Sequence, residues 1–297
     1  MNEMSQLPKI SVVMPCYNME KYIEQTIKSI LNQDYSNLEL IIVDGASTDN
    51  SLSIIKKYSD KISVLISEKD KGQYDAINKG FSNATGDIFC WINADDVYFN
   101  WTFQTVALIF SKRNDINWLA GIPAFLNESG TIKKIYGKIP AKDRKGIING
   151  WYRGDGYGFL QQESMFWRKE LWMKVGGLKM EYSLAADYFL WTEFAKFSDL
   201  WSLHTPLAAF RIRNESRSKV QFEKYMLQVN EICKLLKPLP LLFRVLGSNK
   251  SINHLLRIMT FKKHLVIHQP FSSDEYISSK WISSLSGFSF GGLLREL

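Results

Sequence analysis

Short apolar runs rich in Ile and Val alternate with helix-period segments through the first hundred residues, and this alternation constrains the fold more than any other feature of the chain. Parallel strands need long crossover connections, usually helices, so strand and helix in series spell an α/β sheet. Strands are predicted at residues 10–14, 38–43, 62–66 and 88–92. Between the first two, residues 22–32 place Ile23, Ile27, Ile30 and Leu31 on one helical face. Ser47, Thr48 and Asp49 offer N-cap chemistry for a helix running through Ile54 and Ile55 to Tyr58. A third helix is expected from near Tyr74 to just before Gly80. The strand ends then deliver Asp44, Glu68 with Asp70, and Asp95 with Asp96 to one edge of the sheet, where ligands of open α/β folds bind.

Past residue 100 the alternation fades. A helix is expected at 101–111, a hairpin around 127–130, and a Gly-rich, aromatic loop over a site at 146–158. Further helices are read at 169–175, ended by Gly176 and Gly177, and at 185–197. Beyond Ser216 the register changes: Phe222, Met226, Val229, Cys233 and Leu236 share one helical face, with Lys224, Lys234 and Lys237 nearby. That face serves either packing on the preceding domain or contact with a membrane, and the apolar segments 239–246 and 255–261 speak for an interfacial role.

Charge separates these two regions. Of the net +7, residues 206–297 carry fourteen Lys and Arg against six Asp and Glu, and the first 205 residues are near neutral. Such a region either attracts polyanions, including an anionic lipid surface, or is simply a solvated basic face. The longest apolar runs are only a handful of residues, too short to span a bilayer. Residues 1–9 have no apolar core of signal-peptide type, so the chain is expected in the cytosol. Cys16, Cys90 and Cys233 are far apart and odd in number, and read as reduced thiols.

Adjacent acids at a strand end, such as Asp95 and Asp96, concentrate negative charge that a hard divalent cation relieves, often shared with substrate phosphates; the bland alternative is a solvated loop. The turn after the first strand, Pro15-Cys-Tyr-Asn-Met-Glu20, lacks the Gly-x-Gly-x-x-Gly pattern, which sets aside a nicotinamide-dependent oxidoreductase.

Several segments, in order, resemble the family 2 glycosyltransferases, enzymes of the GT-A fold. They are Ser11-Val-Val-Met-Pro15-Cys-Tyr17-Asn18, Leu40-Ile-Ile-Val-Asp44-Gly-Ala-Ser47-Thr48-Asp49, Ser67-Glu-Lys-Asp70-Lys-Gly72-Gln-Tyr74-Asp75-Ala-Ile-Asn78-Lys79-Gly80, Ala84-Thr-Gly86-Asp87 and Asn93-Ala94-Asp95-Asp96. Gln162-Glu-Ser-Met-Phe-Trp-Arg168, Gly176-Gly177-Leu and Ala185-Ala-Asp187-Tyr-Phe-Leu-Trp191 follow, so the resemblance covers roughly residues 9 to 217. It implies a GT-A domain at 1–217, with a mostly parallel central sheet flanked by helices, and leaves 218–297 as a basic, amphipathic helical extension.

The resemblance also implies roles. Pro15, Tyr17 and Asn18 would form a donor-facing turn, with Asp44, Asp70 and Asp75 completing a nucleotide pocket. Asp95 falls on the final acid of the family's Asp-x-Asp metal motif and would coordinate Mg²⁺ or Mn²⁺ on the donor diphosphate, with Ala94 between it and Asn93, which stands in place of the first acid. Asp187 lies where the family places its catalytic base. Arg211 and Arg213 would hold the diphosphate; some relatives have His near the position of Arg213, so Arg here implies direct diphosphate binding and no third protein metal ligand. Gln162 and Glu163 would line the acceptor side, Glu163 as a rival for the base. Trp151, Tyr152 and Tyr157 are candidates to stack on a sugar ring, whereas Trp91 reads as core. The expected enzyme is an inverting, metal-dependent hexosyl- or N-acetylhexosaminyltransferase of cell-surface polysaccharide synthesis. Its donor is a nucleotide-diphosphate sugar and its acceptor a glycan or lipid-linked hydroxyl. The basic extension would rest on the inner face of the cytoplasmic membrane, and no nucleic acid is a partner. The alternative is an inactive nucleotide-sugar binder in an assembly complex, which retention of both Asp95 and Asp187 disfavours.

Overall fold

The computed structural model describes residues 7–135, 144–150, 152, 160–216, 220–235, 262–267 and 277–282. In chain order its elements are β1 (Ile10–Cys16), α1 (Ile23–Leu31), β2 (Leu38–Asp44), α2 (Ser51–Lys56), β3 (Val64–Ser67), α3 (Gln73–Ser82), β4 (Ile88–Trp91), β5 (Val97–Tyr98), α4 (Thr102–Lys112), β6 (Trp118–Ala120), β7 (Ala124–Leu126), β8 (Ile132–Ile135), α5 (Arg144–Ile148), β9 (Met165–Arg168), α6 (Lys169–Val175), α7 (Ala186–Phe197), β10 (Trp201–Leu203), β11 (Ala208–Arg211), α8 (Phe222–Leu235), β12 (Lys262–Ile267) and β13 (Ile277–Ile282).

Side chains of β1 alternate between two cores, which is why the strand reads as one apolar run. Ile10, Val12 and Met14 pack with α1 and α4, whereas Val13 packs with α3 on the other face. The second core is dominated by aromatics, with Trp91 stacked on Trp191 at 5.4 Å between centroids and Trp118, Trp167 and Phe194 around them. Trp91 is therefore core, as expected. The main sheet has the order β13-β12-β10-β6-β9-β4-β1-β2-β3. β3, β2, β1 and β4 run parallel; β9 lies antiparallel between β4 and β6; β6, β10 and β12 are again parallel. A smaller sheet, β5-β11-β7-β8, closes over one end, and its β7–β8 hairpin is the one expected near residue 127.

Five local expectations change. Helix α3 runs through Gly80 to Ser82, because the bare glycine lets the helix lie against β1: a Cβ there would sit 2.4 Å from Val13 Cγ1. The N-cap of α2 is Asn50, and Asp49 instead accepts the Ser51 N–H at 2.9 Å. Gly146 lies inside α5, so the stretch read as a loop begins with a helical turn; Trp151 and residues 153–159, Tyr157 included, lie outside the described residues. The extension is not helical throughout: α8 is followed by β12, which pairs in parallel with β10 at an edge its own short length left open, and by β13. Within α8 the residues that become buried are Val229 and Ile232, while Phe222 is 47% exposed, so the packed face is rotated from the one expected. Segments 239–246 and 255–261 lie outside the described residues.

Candidate active site

β1 has β2 on one side and β4 on the other, so the connections leave its carboxyl end in opposite directions and open a crevice there, the usual ligand position of such sheets. A cleft of about 700 Å³ occupies it. Pro15 and Tyr17 line one wall, and Tyr17 is 57% exposed. Asn18 does not line the cleft. It adopts φ +52°, a left-handed conformation Asn tolerates better than most residues, donates its N–H to Ser47 Oγ and accepts the Thr48 N–H at 2.8 Å. It thus ties the turn after β1 to the turn after β2.

Asp44 is fully buried beneath that second turn, where its carboxylate accepts the Ser67 hydroxyl at 2.8 Å and the Ser47 N–H. Gly45 and Ala46 form the cleft surface above it. Gly45 has no room for a side chain, since a Cβ would lie 2.5 Å from Asp70 Oδ2. Asp70 lines the cleft and accepts the Gly72 N–H. Asp75 turns aside to accept the Lys71 N–H and pair with Lys79, and is not in the lining. Cys16 also reaches the cleft, but burial, reinforced by the Asp44 charge, pushes its thiol up to about 12, so it stays protonated.

On the opposite wall, Asn93, Ala94 and Asp95 follow β4. Asp95 Oδ2 accepts from Arg213 at 2.6 Å, and the Arg213 guanidinium lies 5.0 Å from the Tyr22 ring centre. Asn93 Oδ1 accepts from the Gln73 amide at 2.5 Å while its own amide donates to Asp96. Asp96 is wholly buried and accepts the Arg211 N–H; burial first, then the Asp95 and Glu163 charges, push its carboxyl well above the usual range. The two neighbouring acids therefore do not act as a pair, and of the two Asp95 alone lines the cleft. Arg211 is a correction. Its side chain is buried and donates to Asp95 O, Gln25 Oε1 and Glu128 O, so it braces the loop after β4 and is not in the cleft. Arg213 alone of the two lines it.

Among the described residues no three His, Cys, Asp or Glu groups converge into a protein cage for a metal. One cleft carboxylate, Asp95, beside the amide oxygen of Asn93 fits a hard divalent ion that takes its remaining oxygens from substrate and water.

Asp187 stands in the first turn of α7. Its Oδ1 accepts the Tyr188 N–H at 2.8 Å and the Tyr74 hydroxyl at 3.1 Å. Gln162 and Glu163 line the same side, Gln162 donating to Trp91 O at 2.6 Å. Glu163 is buried, with Oε2 lacking any hydrogen-bond partner. Among the lining residues not singled out from sequence are Gln73, Tyr74, Ser216 and Tyr225. The first two sit inside a quoted motif and carried a signal. Tyr225 lies beyond the matched segments and carried none.

The description "Glycosyl transferase family 2" matches residues 11–170, more than half of the 297. The chain belongs to glycosyltransferase family 2. This glycosyltransferase is 26% identical to an uncharacterized glycosyltransferase of Haemophilus influenzae over 246 residues, 79% of this chain and 73% of that one. Two further curated glycosyltransferases are matched over 65% and 52% of their own length. Its fold is that of solved GT-A enzymes. S. aureus TarS residues 1–349 in complex with UDP-GlcNAc superposes with a TM-score of 0.60 at 17% identity, covering 84% of this chain and 70% of that one. The mannosyltransferase PcManGT from Pyrobaculum calidifontis, in complex with GDP-Man and Mn²⁺, gives 0.57 at 18% identity over 86% and 72%.

Proposed function

We propose that this glycosyltransferase moves a sugar, with inversion, from a nucleotide-diphosphate sugar to a hydroxyl of a glycan or lipid-linked acceptor in cell-surface polysaccharide synthesis, such as O-antigen, capsule or exopolysaccharide. The observation that carries the reading is one cleft holding Asp95 and Arg213 on one wall and Asp187 on another. Tyr17, Asp70 and the Gly45 surface suit a nucleoside, with Asp44 shaping that surface from beneath. UDP-GlcNAc and GDP-Man in the TarS and PcManGT complexes support a donor of this class, a hexose or N-acetylhexosamine.

The chemistry follows from charge. The acceptor oxygen bonds to the anomeric carbon as its proton passes to Asp187, and the bond to the diphosphate breaks on the opposite face with its electron pair leaving on phosphate oxygen. Arg213 meets the charge that gathers there, and release from Asp95 frees its guanidinium for the donor. Mg²⁺ or Mn²⁺ held by Asp95 and the donor's own phosphates would supply further Lewis-acid neutralisation. The basic extension would rest on the anionic inner face of the cytoplasmic membrane, close to a lipid-linked acceptor.

A panel including UDP-GlcNAc and GDP-mannose, run with Mn²⁺, Mg²⁺ and then chelator and scored for nucleotide diphosphate release, tests the reading. One donor consumed in a metal-dependent way is expected. A donor that binds and is never consumed, with any acceptor offered, points instead to the inactive binder.

A further inference from the structure

Helix α8 lies outside the segment that matches the family and outside every motif that resembles it, yet it is built into the catalytic half of the molecule. Val229 and Ile232 have no exposed surface and join the core cluster that contains Ile147, Tyr188 and Trp191. Between them and the cleft, Gln228 does something more specific. Its Oε1 accepts two consecutive backbone N–H groups, from Leu184 at 2.8 Å and Ala185 at 3.1 Å, while its Nε2 donates to Ser183 Oγ at 3.1 Å. These three residues are the turn into α7, which places Asp187 two residues later. The N-cap residue of that helix is Ala185, which has no side chain able to cap it. The turn is therefore held by α8 and, on its other side, by the Tyr74 hydroxyl, which donates to Leu184 O at 2.7 Å and to Asp187 itself.

One turn earlier on α8, Tyr225 reaches the cleft wall that it shares with Leu184, Asp187 and Ser216. Burial, with the Asp187 charge adding to it, pushes this phenol well above its ordinary range, so it remains a neutral hydrogen-bond donor. A ring with a hydroxyl donor beside a carboxylate acceptor matches a sugar ring, which offers an apolar face and hydroxyls of both senses.

We propose that α8 is part of the acceptor side of the active site, with Gln228 as the residue that positions Asp187 and Tyr225 as a contact for a hydroxyl-bearing sugar acceptor. This rests on Asp187 being the base. The test uses the full chain and compares Gln228→Leu, Gln228→Glu and Tyr225→Phe, with UDP and GDP as binding probes and UDP-GlcNAc and GDP-mannose as donors. Gln228→Leu is expected to lower kcat by about ten- to a hundredfold, since small displacements of a reacting group are costly, with UDP or GDP affinity within about twofold of wild type. Gln228→Glu keeps an oxygen for both N–H groups and is expected to restore most of the rate. Tyr225→Phe keeps the ring, leaves the fold intact and is expected to lose about three- to tenfold in kcat/KM with the same probe affinity. Should Gln228→Leu not fold, Gln228→Glu and Tyr225→Phe still decide the matter: wild-type acceptor kinetics in Tyr225→Phe together with a rate lost in Gln228→Glu overturn the proposal. So does a fully active Gln228→Leu alongside an inactive Asp187→Asn. An active Asp187→Asn overturns the base assignment itself, and the proposal with it.

Discussion

Burial pushes the Glu163 carboxyl up to about 7, with the Asp95 and Asp187 charges adding to the effect, and leaves Oε2 without a partner. Between about pH 4.5 and 7 the folded chain then holds a proton that the unfolded chain has lost, so stability falls as pH rises through that window. Glu163→Gln cannot ionise. Its unfolding free energy by urea denaturation is expected to be flatter across the window and higher than wild type at pH 8 by on the order of 2–3 kcal/mol. A wild-type pH profile in the variant would refute this. The same residue shows what a sequence conveys at this scale. Asp95 was legible at a strand end, and the family resemblance pointed to Asp187, Gln162 and Glu163; all four line one cleft. The sequence did not convey which way each side chain turns. Asp95 lines the cleft and Asp96 is interior, and Arg213 lines the cleft while Arg211, two residues earlier, is taken up by backbone carbonyls and Gln25. Those directions depend on the loop after β4 and the smaller sheet, whose pairing is set by contacts distant in sequence.

Helix α3 separates two kinds of glycine. Local pattern marks Gly80 as a helix end, and tertiary packing makes it an interior contact against Val13. Gly176, by contrast, is the left-handed C-cap of α6 at φ +74°, as its place after a helical run foretold, and a Cβ there meets nothing within 4 Å. Gly80→Ala is expected to destabilise by about 1–3 kcal/mol through overpacking, and Gly176→Ala by about 1 kcal/mol through backbone strain alone. Thermal unfolding of both variants measures the ordering, and equal shifts would contradict the packing argument. The first four strands were legible from their apolar runs and the helix at 169–175 from the glycine that closes it, whereas the helix expected at 185–197 forms at 186–197 without a side-chain cap at its start. α8 was legible only as an amphipathic helix: Val229 and Ile232 pack because α7 offers them a surface, which no local periodicity records.

Across the whole molecule, a mostly parallel sheet with its cleft at the switch point carries a near-neutral catalytic region and a basic carboxyl-terminal region. No helix among the described residues is long and apolar enough to cross a membrane. If the basic region meets anionic lipid, the full chain pellets with phosphatidylglycerol-containing vesicles at low salt and is released at about 0.5 M salt, where screening shortens to a few ångströms. Equal binding to neutral vesicles would refute an electrostatic contact. α8 belongs to this basic region by charge and to the catalytic core by packing, so a boundary near residue 217 divides composition and not structure. In the proposed reaction Asp187 takes the acceptor proton in this cleft. The most direct test is the rate of sugar transfer by Asp187→Asn against wild type at saturating donor. A loss of about 10² to 10⁴ with UDP or GDP affinity preserved is expected, and transfer near the wild-type rate would rule out Asp187 as the base.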